Sequence, residues 1–246
     1  MKLLVDIGNS RVKWASLGRE GLVPGGAFAH AGQALPELLA REWRTLAGVT
    51  AVWVASVVGA AVEAELGQFV RERFGRVAHF VRSPAAALGV RNAYAQPQQL
   101  GVDRFLALAA AHARSPALQV LASVGTALTI DALTADGMHL GGLILPSPML
   151  MRRTLGNATA RVETQGGSYQ AWPASTADGV YSGALVAAVA AIGHFHGALE
   201  RRCEARAALL LAGGGSDELL PLLPAAQRVP DLVLQGLALW ARTPPA

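Results

Sequence analysis

The sequence predicts an α/β protein built as two related halves. Leu3-Leu4-Val5 is a short apolar run ending in Asp6, followed by Ile7, Gly8, Asn9 and Ser10 and then by Arg11, Val12, Lys13 and Trp14, which alternate polar with apolar. Leu118 to Val124, Gly125-Thr126 and Ala127 to Leu133 repeat that plan in the second half. Each is a strand, a turn-forming tip and a returning strand, the pattern of a β-hairpin. Around both hairpins, apolar runs of strand length alternate with helical periodicity, as in sheets covered by helices.

Taken in order, the residues after the first hairpin read as follows. Leu17 to Phe28 is Gly-rich strand and turn. Gln33 to Leu46 spaces Leu35, Leu38, Leu39 and Trp43 as a helix does, with Pro36 in a position that a first turn tolerates. Ala51 to Val58 is a buried strand, Ala60 to Phe74 a helix stopped by Gly75, and Val77 to Val81 a strand. Ser83 to Leu100 is irregular, and a helix then runs from Gln99 or Gly101 to Arg114. Ser115-Pro116 breaks it, which sets the expected halves at 1–115 and 116–246.

In the second half, Met138 to Leu145 is a strand, Pro148 to Leu155 a short helix, and 156–173 a polar loop. Thr176 to Leu199 is the longest helix. Ala208 to Leu211 is a buried strand entering Gly213-Gly214-Gly215, and Asp217 to Leu223 and Leu232 to Trp240 are helices. A duplicated nucleotide-binding fold is expected, with its ligands in a cleft between the halves.

Composition limits the partners. Hydrophobic residues make up 52% of the 246 and charged residues 15%, enough apolar mass for one large core or two medium ones. The net charge of +4 comes from scattered arginines with no aromatic-interleaved basic run, so no nucleic-acid partner is expected. The single cysteine, Cys203, excludes a disulfide framework or a cysteine-based metal site within one chain. A start on a charged residue and a strand, with the apolar Val180 to Leu199 interrupted by Ser182, His194 and His196, leads us to expect a cytoplasmic protein without a membrane span. His79, His112, His139, His194 and His196 form no metal-ligand pattern and are read as structural.

The opening hairpin has the chemistry of a phosphate site. Successive turn N–H groups form an anion-binding concavity. The Asp6 carboxylate suits hydrated Mg²⁺, and Lys13 returns a point charge on the next strand. On this stretch alone, an ordinary hairpin whose Asp caps a turn is the simpler reading. Neither a Walker A sequence nor GxGxxG is present.

DIGNSRVK at 6–13, NAY at 92–94, GVDRF at 101–105, SVGTALTID at 123–131, GGLILP at 141–146, STADGVYSG at 175–183 and LLLAGGG at 209–215 occur in the order of one known family. As a set they resemble the type III pantothenate kinases. That resemblance implies two duplicated actin-like domains of the sugar kinase, heat-shock chaperone and actin superfamily, ribonuclease H-like in topology. It also implies a homodimer and the ATP-dependent phosphorylation of pantothenate, the first step of coenzyme A biosynthesis.

By position, the resemblance gives Asp6, Ile7, Gly8, Asn9, Ser10, Arg11, Val12 and Lys13 to ATP, with Mg²⁺ on Asp6 through water, and Thr126 to the ATP phosphates. It makes Asp103 the general base. Gly101, Val102, Asp103, Arg104, Tyr94 and Thr176 are its substrate-binding residues, the pocket being completed across the dimer interface, and 213–215 lie beside the adenosine.

Simpler roles stand beside these. Asp103 could be a first-turn carboxylate, Arg104 a surface ion-pair partner, Tyr94 an ordinary half-buried tyrosine, and Ser175-Thr176 a helix cap. The family's K⁺ or NH₄⁺ is associated with a carboxylate where this chain has Ser123, which offers oxygen without charge. Pro146-Ser147 stands where Pro-Gly is usual. A kinase for another small alcohol, or an ATP-binding module without chemistry, are the alternatives. The second has no use for Asp6 and Asp103 together.

Overall fold

A computed structural model describes residues 1–30, 32–158 and 166–243. The chain forms two compact units. The first contains β1 (Lys2–Ile7), β2 (Arg11–Gly18), β3 (Gly21–Ala29), α1 (Leu35–Glu42), β4 (Ala51–Ser56), α2 (Ala60–Phe74), β5 (Ala78–Val81), the small hairpin β6 (Ala86–Ala87) and β7 (Val90–Arg91), and α3 (Val102–Arg114). Its sheet has the order β3-β2-β1-β4-β5. β1 is antiparallel to β2 and parallel to β4.

Strand alternation explains how this sheet is covered. Leu3, Val5 and Ile7 of β1 join Leu35, Leu38, Leu39 and Trp43 of the α1 segment and Leu66 and Val70 of α2 in one core. Trp43 meets the ring of Phe69 edge-on at 5.9 Å. Leu4 is also fully buried, so β1 is covered on both faces. Gly75 stops α2 in the left-handed region at φ 63°, donating its N–H to the Arg71 carbonyl. At Gly25 of β3 an added Cβ would lie 2.1 Å from the Trp14 ring, so only glycine lets β3 pass this indole.

The second unit repeats the plan. It contains β8 (Gln119–Val124), β9 (Ala127–Leu133), β10 (His139–Pro146), α4 (Pro148–Ala158), α5 (Thr176–Cys203), β11 (Ala208–Ala212), α6 (Ser216–Leu219) and β12 (Ala226–Arg228). The order β10-β9-β8-β11-β12 is that of the first sheet, strand for strand. β9 is antiparallel to both β8 and β10, and β11 is parallel to both β8 and β12. Leu185, Ala188, Ile192 and Leu199 of α5 are buried against Val120, Ala122, Leu128 and Ile130. α5 is long and apolar enough to cross a membrane by length and composition, and these four residues give it a core-facing side.

α4 and α5 run past their expected ends at Leu155 and Leu199, and larger departures lie elsewhere. The halves were expected to divide at 115, yet the last helix, α7 (Leu232–Arg242), belongs with the first unit. It lies so close on α3 that a Cβ on Gly236 would stand 2.0 Å from the Leu106 carbonyl oxygen, and Phe105 meets Trp240 edge-on at 6.5 Å. Second, the helix expected over Asp217 to Leu223 is α6 followed by a 3₁₀ turn, Leu220–Leu222. Pro221 supplies no N–H there to continue an α-helix. Third, β12 has only three residues, too short for alternation to reveal it. Part of the loop expected over 156–173 lies outside the described residues.

Candidate active site

The tip between β1 and β2 is Gly8, Asn9 and Ser10, closed by the Gly8 N–H donating to the Arg11 carbonyl at 3.0 Å. Pairing sets Asp6 opposite Lys13 and Ile7 opposite Val12. Ile7 and Val12 are fully buried and anchor the tip, while Asp6 and Lys13, on the other side of the sheet, are half-buried. Asp6 follows Leu4 by two residues and so shares its face, away from the α1 and α2 core. His30, just after β3, holds the tip from its flank. Its backbone N–H donates to the Ser10 carbonyl at 3.2 Å, and its ring Nε2 bonds the Gly8 carbonyl at 2.7 Å.

The segment carrying Tyr94 is irregular in outline but tightly bonded. Asn92 donates its amide to the carbonyls of Pro84 (3.2 Å) and Pro97 (3.0 Å) and accepts the Tyr94 N–H at 3.0 Å. The Ser83 hydroxyl donates to the Leu100 carbonyl at 2.7 Å. α3 then starts, the Phe105 N–H reaching the Gly101 carbonyl at 3.1 Å. Asp103 lies in the first turn and accepts the Arg104 N–H on Oδ1 at 2.8 Å. A Cβ on Gly101 would stand 2.5 Å from that same oxygen, so glycine at 101 makes room for the carboxylate.

Arg104 is only 6% exposed and donates from Nη1 to the Tyr94 hydroxyl at 3.1 Å. Its guanidinium also lies 5.8 Å from the centre of the Tyr94 ring. The fold therefore joins two of the residues that the resemblance gave to the substrate, ten positions apart in sequence.

A groove of about 550 Å³ lies alongside, at the end of β4, lined by Ser56, Glu63, Arg82, Ser83, Gln99 and Gly101 among others. Arg82 donates there to both Glu63 carboxylate oxygens, from Nη1 at 2.9 Å and Nη2 at 2.5 Å. The hydrogen bond from Arg82 holds the Glu63 carboxyl below the usual carboxylate range, against the opposing effect of burial.

In the second unit, the Gly125 N–H donates to the Ala127 carbonyl at 2.9 Å, leaving Gly125 and Thr126 exposed at the tip. The glycine segment packs directly beside it. Gly213 has φ 86°, a Cβ there would lie 2.3 Å from the Val124 carbonyl oxygen, and the Gly215 N–H donates to that carbonyl at 3.0 Å. Thr176 is the first residue of α5. The cap is Ser175, whose hydroxyl accepts the Asp178 N–H at 3.1 Å and donates to its carboxylate at 2.7 Å. Asp178 also accepts the Ser168 N–H at 2.8 Å, and the Ser168 and Ser175 bonds hold its carboxyl below the usual range. They tie the loop before α5 to the turn that carries Thr176.

Among the described residues no group of three or more His, Cys, Asp or Glu could hold a metal ion. The histidines read as structural include His139, fully buried with Nε2 bonding Asp131 at 2.9 Å, and His196, bonding the Ala207 carbonyl at 2.8 Å.

Solved structures share this architecture at low identity. One from Sinorhizobium meliloti assigned as a 2-dehydro-3-deoxygalactonokinase covers 98% of each chain at 14% identity with a TM-score of 0.60. One from Campylobacter jejuni assigned to the Baf family of transcriptional activators covers 96% of this chain and 94% of its own at 20% identity and 0.59. These likenesses agree with an actin-like α/β fold of two five-stranded sheets. Among sequence relatives, the type III pantothenate kinase of Stenotrophomonas maltophilia K279a is 42% identical over 244 residues, 99% of this chain and 98% of its own. That of Xanthomonas oryzae pv. oryzae PXO99A is 43% identical over 240 residues, 97% and 96%. The sequence profile of the type III pantothenate kinase family matches residues 2–197, from the first strand through both hairpins into α5. With relatives of that kind matched over nearly its full length, the chain belongs to the type III pantothenate kinase family.

Proposed function

We propose that this pantothenate kinase transfers the γ-phosphate of ATP to the primary alcohol of pantothenate with Asp103 as general base. The observation carrying the residue assignment is the Tyr94–Arg104 contact beside Asp103, which supports a preorganised acceptor site at the start of α3. Asp103 takes the hydroxyl proton as the alcohol oxygen attacks the γ-phosphorus. The bond to the β-phosphate oxygen breaks and ADP leaves. Arg104, kept from swinging by Tyr94, offers a fixed donor fork to a polar group of the acceptor.

The tip from Asp6 to Lys13 binds the ATP phosphates, with Thr126 assigned to the same ligand. Asp6 is a hard oxygen donor fitting Mg²⁺, and one carboxylate suits an ion otherwise held by phosphate and water. When bound, Mg²⁺ neutralises phosphate charge. For a monovalent cation, Ser123 supplies a hydroxyl but no charge, so K⁺ should bind more weakly than beside a carboxylate or be held in a different arrangement.

Substrate contact by Thr176 and a homodimer belong to the same reading. Trp172 is 93% exposed in the loop that Ser168 and Asp178 fasten to α5, and Ile144 and Met149 are 65% and 58% exposed in the same unit. The homodimer itself rests on the family resemblance, and a second copy seated on these side chains would cover them. A cytoplasmic site of action is the expectation for a kinase drawing on ATP.

The test is ADP release with pantothenate against glycerol and sugars, with and without K⁺, for wild type and Asp103→Asn. Pantothenate alone should support turnover. The folded Asn variant should lose about 10²- to 10⁴-fold in kcat, the usual share of a general base. Near-normal turnover in folded Asp103→Asn rejects the base assignment.

A further inference from the structure

We infer that His30 is a positioning residue for the nucleotide-binding tip, and this rests on the reading that residues 6–13 hold the ATP phosphates. A backbone carbonyl only accepts, so the 2.7 Å contact to Gly8 requires the proton on Nε2. Together with the backbone bond to Ser10, His30 fastens two of the carbonyls at the tip from the β3 side.

Peptide planarity gives this tether a consequence for the phosphates. Cis bonds are absent among the described residues, and across a trans peptide the N–H points opposite to the C=O. The Gly8 carbonyl shares its plane with the Asn9 N–H, and the Ser10 carbonyl with the Arg11 N–H. Holding both carbonyls toward β3 therefore turns the Asn9 and Arg11 amides away from it, to one side of the tip, where they can serve as donors for an anion. An untethered Gly-Asn-Ser tip is free to rotate these planes and must be ordered at the moment ATP binds. The ring of His30 acts through the backbone and needs no contact with the nucleotide.

Steady-state kinetics of the full chain, varying ATP and pantothenate separately, test this with His30→Leu, His30→Gln and Asp6→Asn, folding being checked by thermal melting. Gln carries its amide nitrogen about as far along the side chain as Nε2 and can donate to Gly8; Leu cannot. His30→Leu should raise KM for ATP about two- to tenfold, the range of one net hydrogen bond. KM for pantothenate and kcat should stay near wild type, and His30→Gln should restore KM for ATP. Should His30→Leu not fold, His30→Ser, too short to reach Gly8, is read by the same criteria. The inference is overturned by an unchanged KM for ATP in the Leu or Ser variant, by Gln being as impaired as Leu, or by both KM values rising together. An unaltered KM for ATP in Asp6→Asn removes the nucleotide assignment and this inference with it. A raised value there beside an unchanged His30→Leu removes the His30 inference alone.

Discussion

The guanidinium of Arg104 and the hydroxyl of Tyr94 meet at 3.1 Å, joining the first turn of α3 to the looped segment before it. Arg104 is almost wholly buried, so the hydroxyl satisfies a charged donor that water does not reach freely. Tyr94→Phe removes that acceptor while keeping the ring. It should destabilise the protein by about 1.5–3 kcal/mol, the usual worth of a hydrogen bond to a charged group. KM for pantothenate should rise with KM for ATP unchanged. Urea denaturation and two-substrate kinetics check both; equal effects on the two KM values would count against the acceptor-site assignment.

Gly101 offers a narrower probe of Asp103. An alanine Cβ at 101 falls 2.5 Å from Asp103 Oδ1, so the carboxylate must rotate or shift. Gly101→Ala should lower kcat at least about tenfold, as expected when a base is displaced by an ångström or less. The melting temperature should change little. A Gly101→Ala enzyme with wild-type kcat would show that the orientation of Asp103 is immaterial.

Asp131 and His139 form a buried pair across β9 and β10, with Nε2 and Oδ1 2.9 Å apart. Removing one partner takes this hydrogen bond from the other at a site that water does not reach freely. Asp131→Leu or His139→Leu alone should therefore cost about 1–3 kcal/mol. The double substitution should cost less than the sum. A double-mutant cycle by chemical denaturation measures the coupling, and additivity would contradict it.

The Glu63–Arg82 pair predicts a feature of acid stability. The folded pKa of Glu63 lies below its ordinary value of 4.5. The folded state thus binds the proton less readily than the unfolded chain. The stabilisation is complete above pH 4.5 and fades as pH falls through the folded value. With Arg82 about half exposed, the pair should contribute about 0.2–1 kcal/mol. The stability gap between wild type and Glu63→Gln should be flat above pH 5 and close in more acid solution; a gap that widens there would reverse the sign.

Much of the architecture can be read from local order because the partners are neighbours in the chain. The tips at Gly8–Ser10 and Gly125–Thr126 lie between strands separated by two or three residues, and α2 runs over the expected Ala60–Phe74 to its stop at Gly75. Alternation, turn residues and a glycine stop encode these directly. The family followed from motifs that are contiguous in sequence. Tertiary structure alone decided the rest. α7 returns to α3 because Gly236 lets two helix backbones meet, which no window around 236 reveals. His30 reaches Gly8 across 22 positions only because β3 lies beside β2. Tyr94 finds Arg104 only because Asn92 and Ser83 fold the intervening loop. Short-range hydrogen bonding and periodicity are written residue by residue, whereas contacts made by packing depend on the position of the whole sheet.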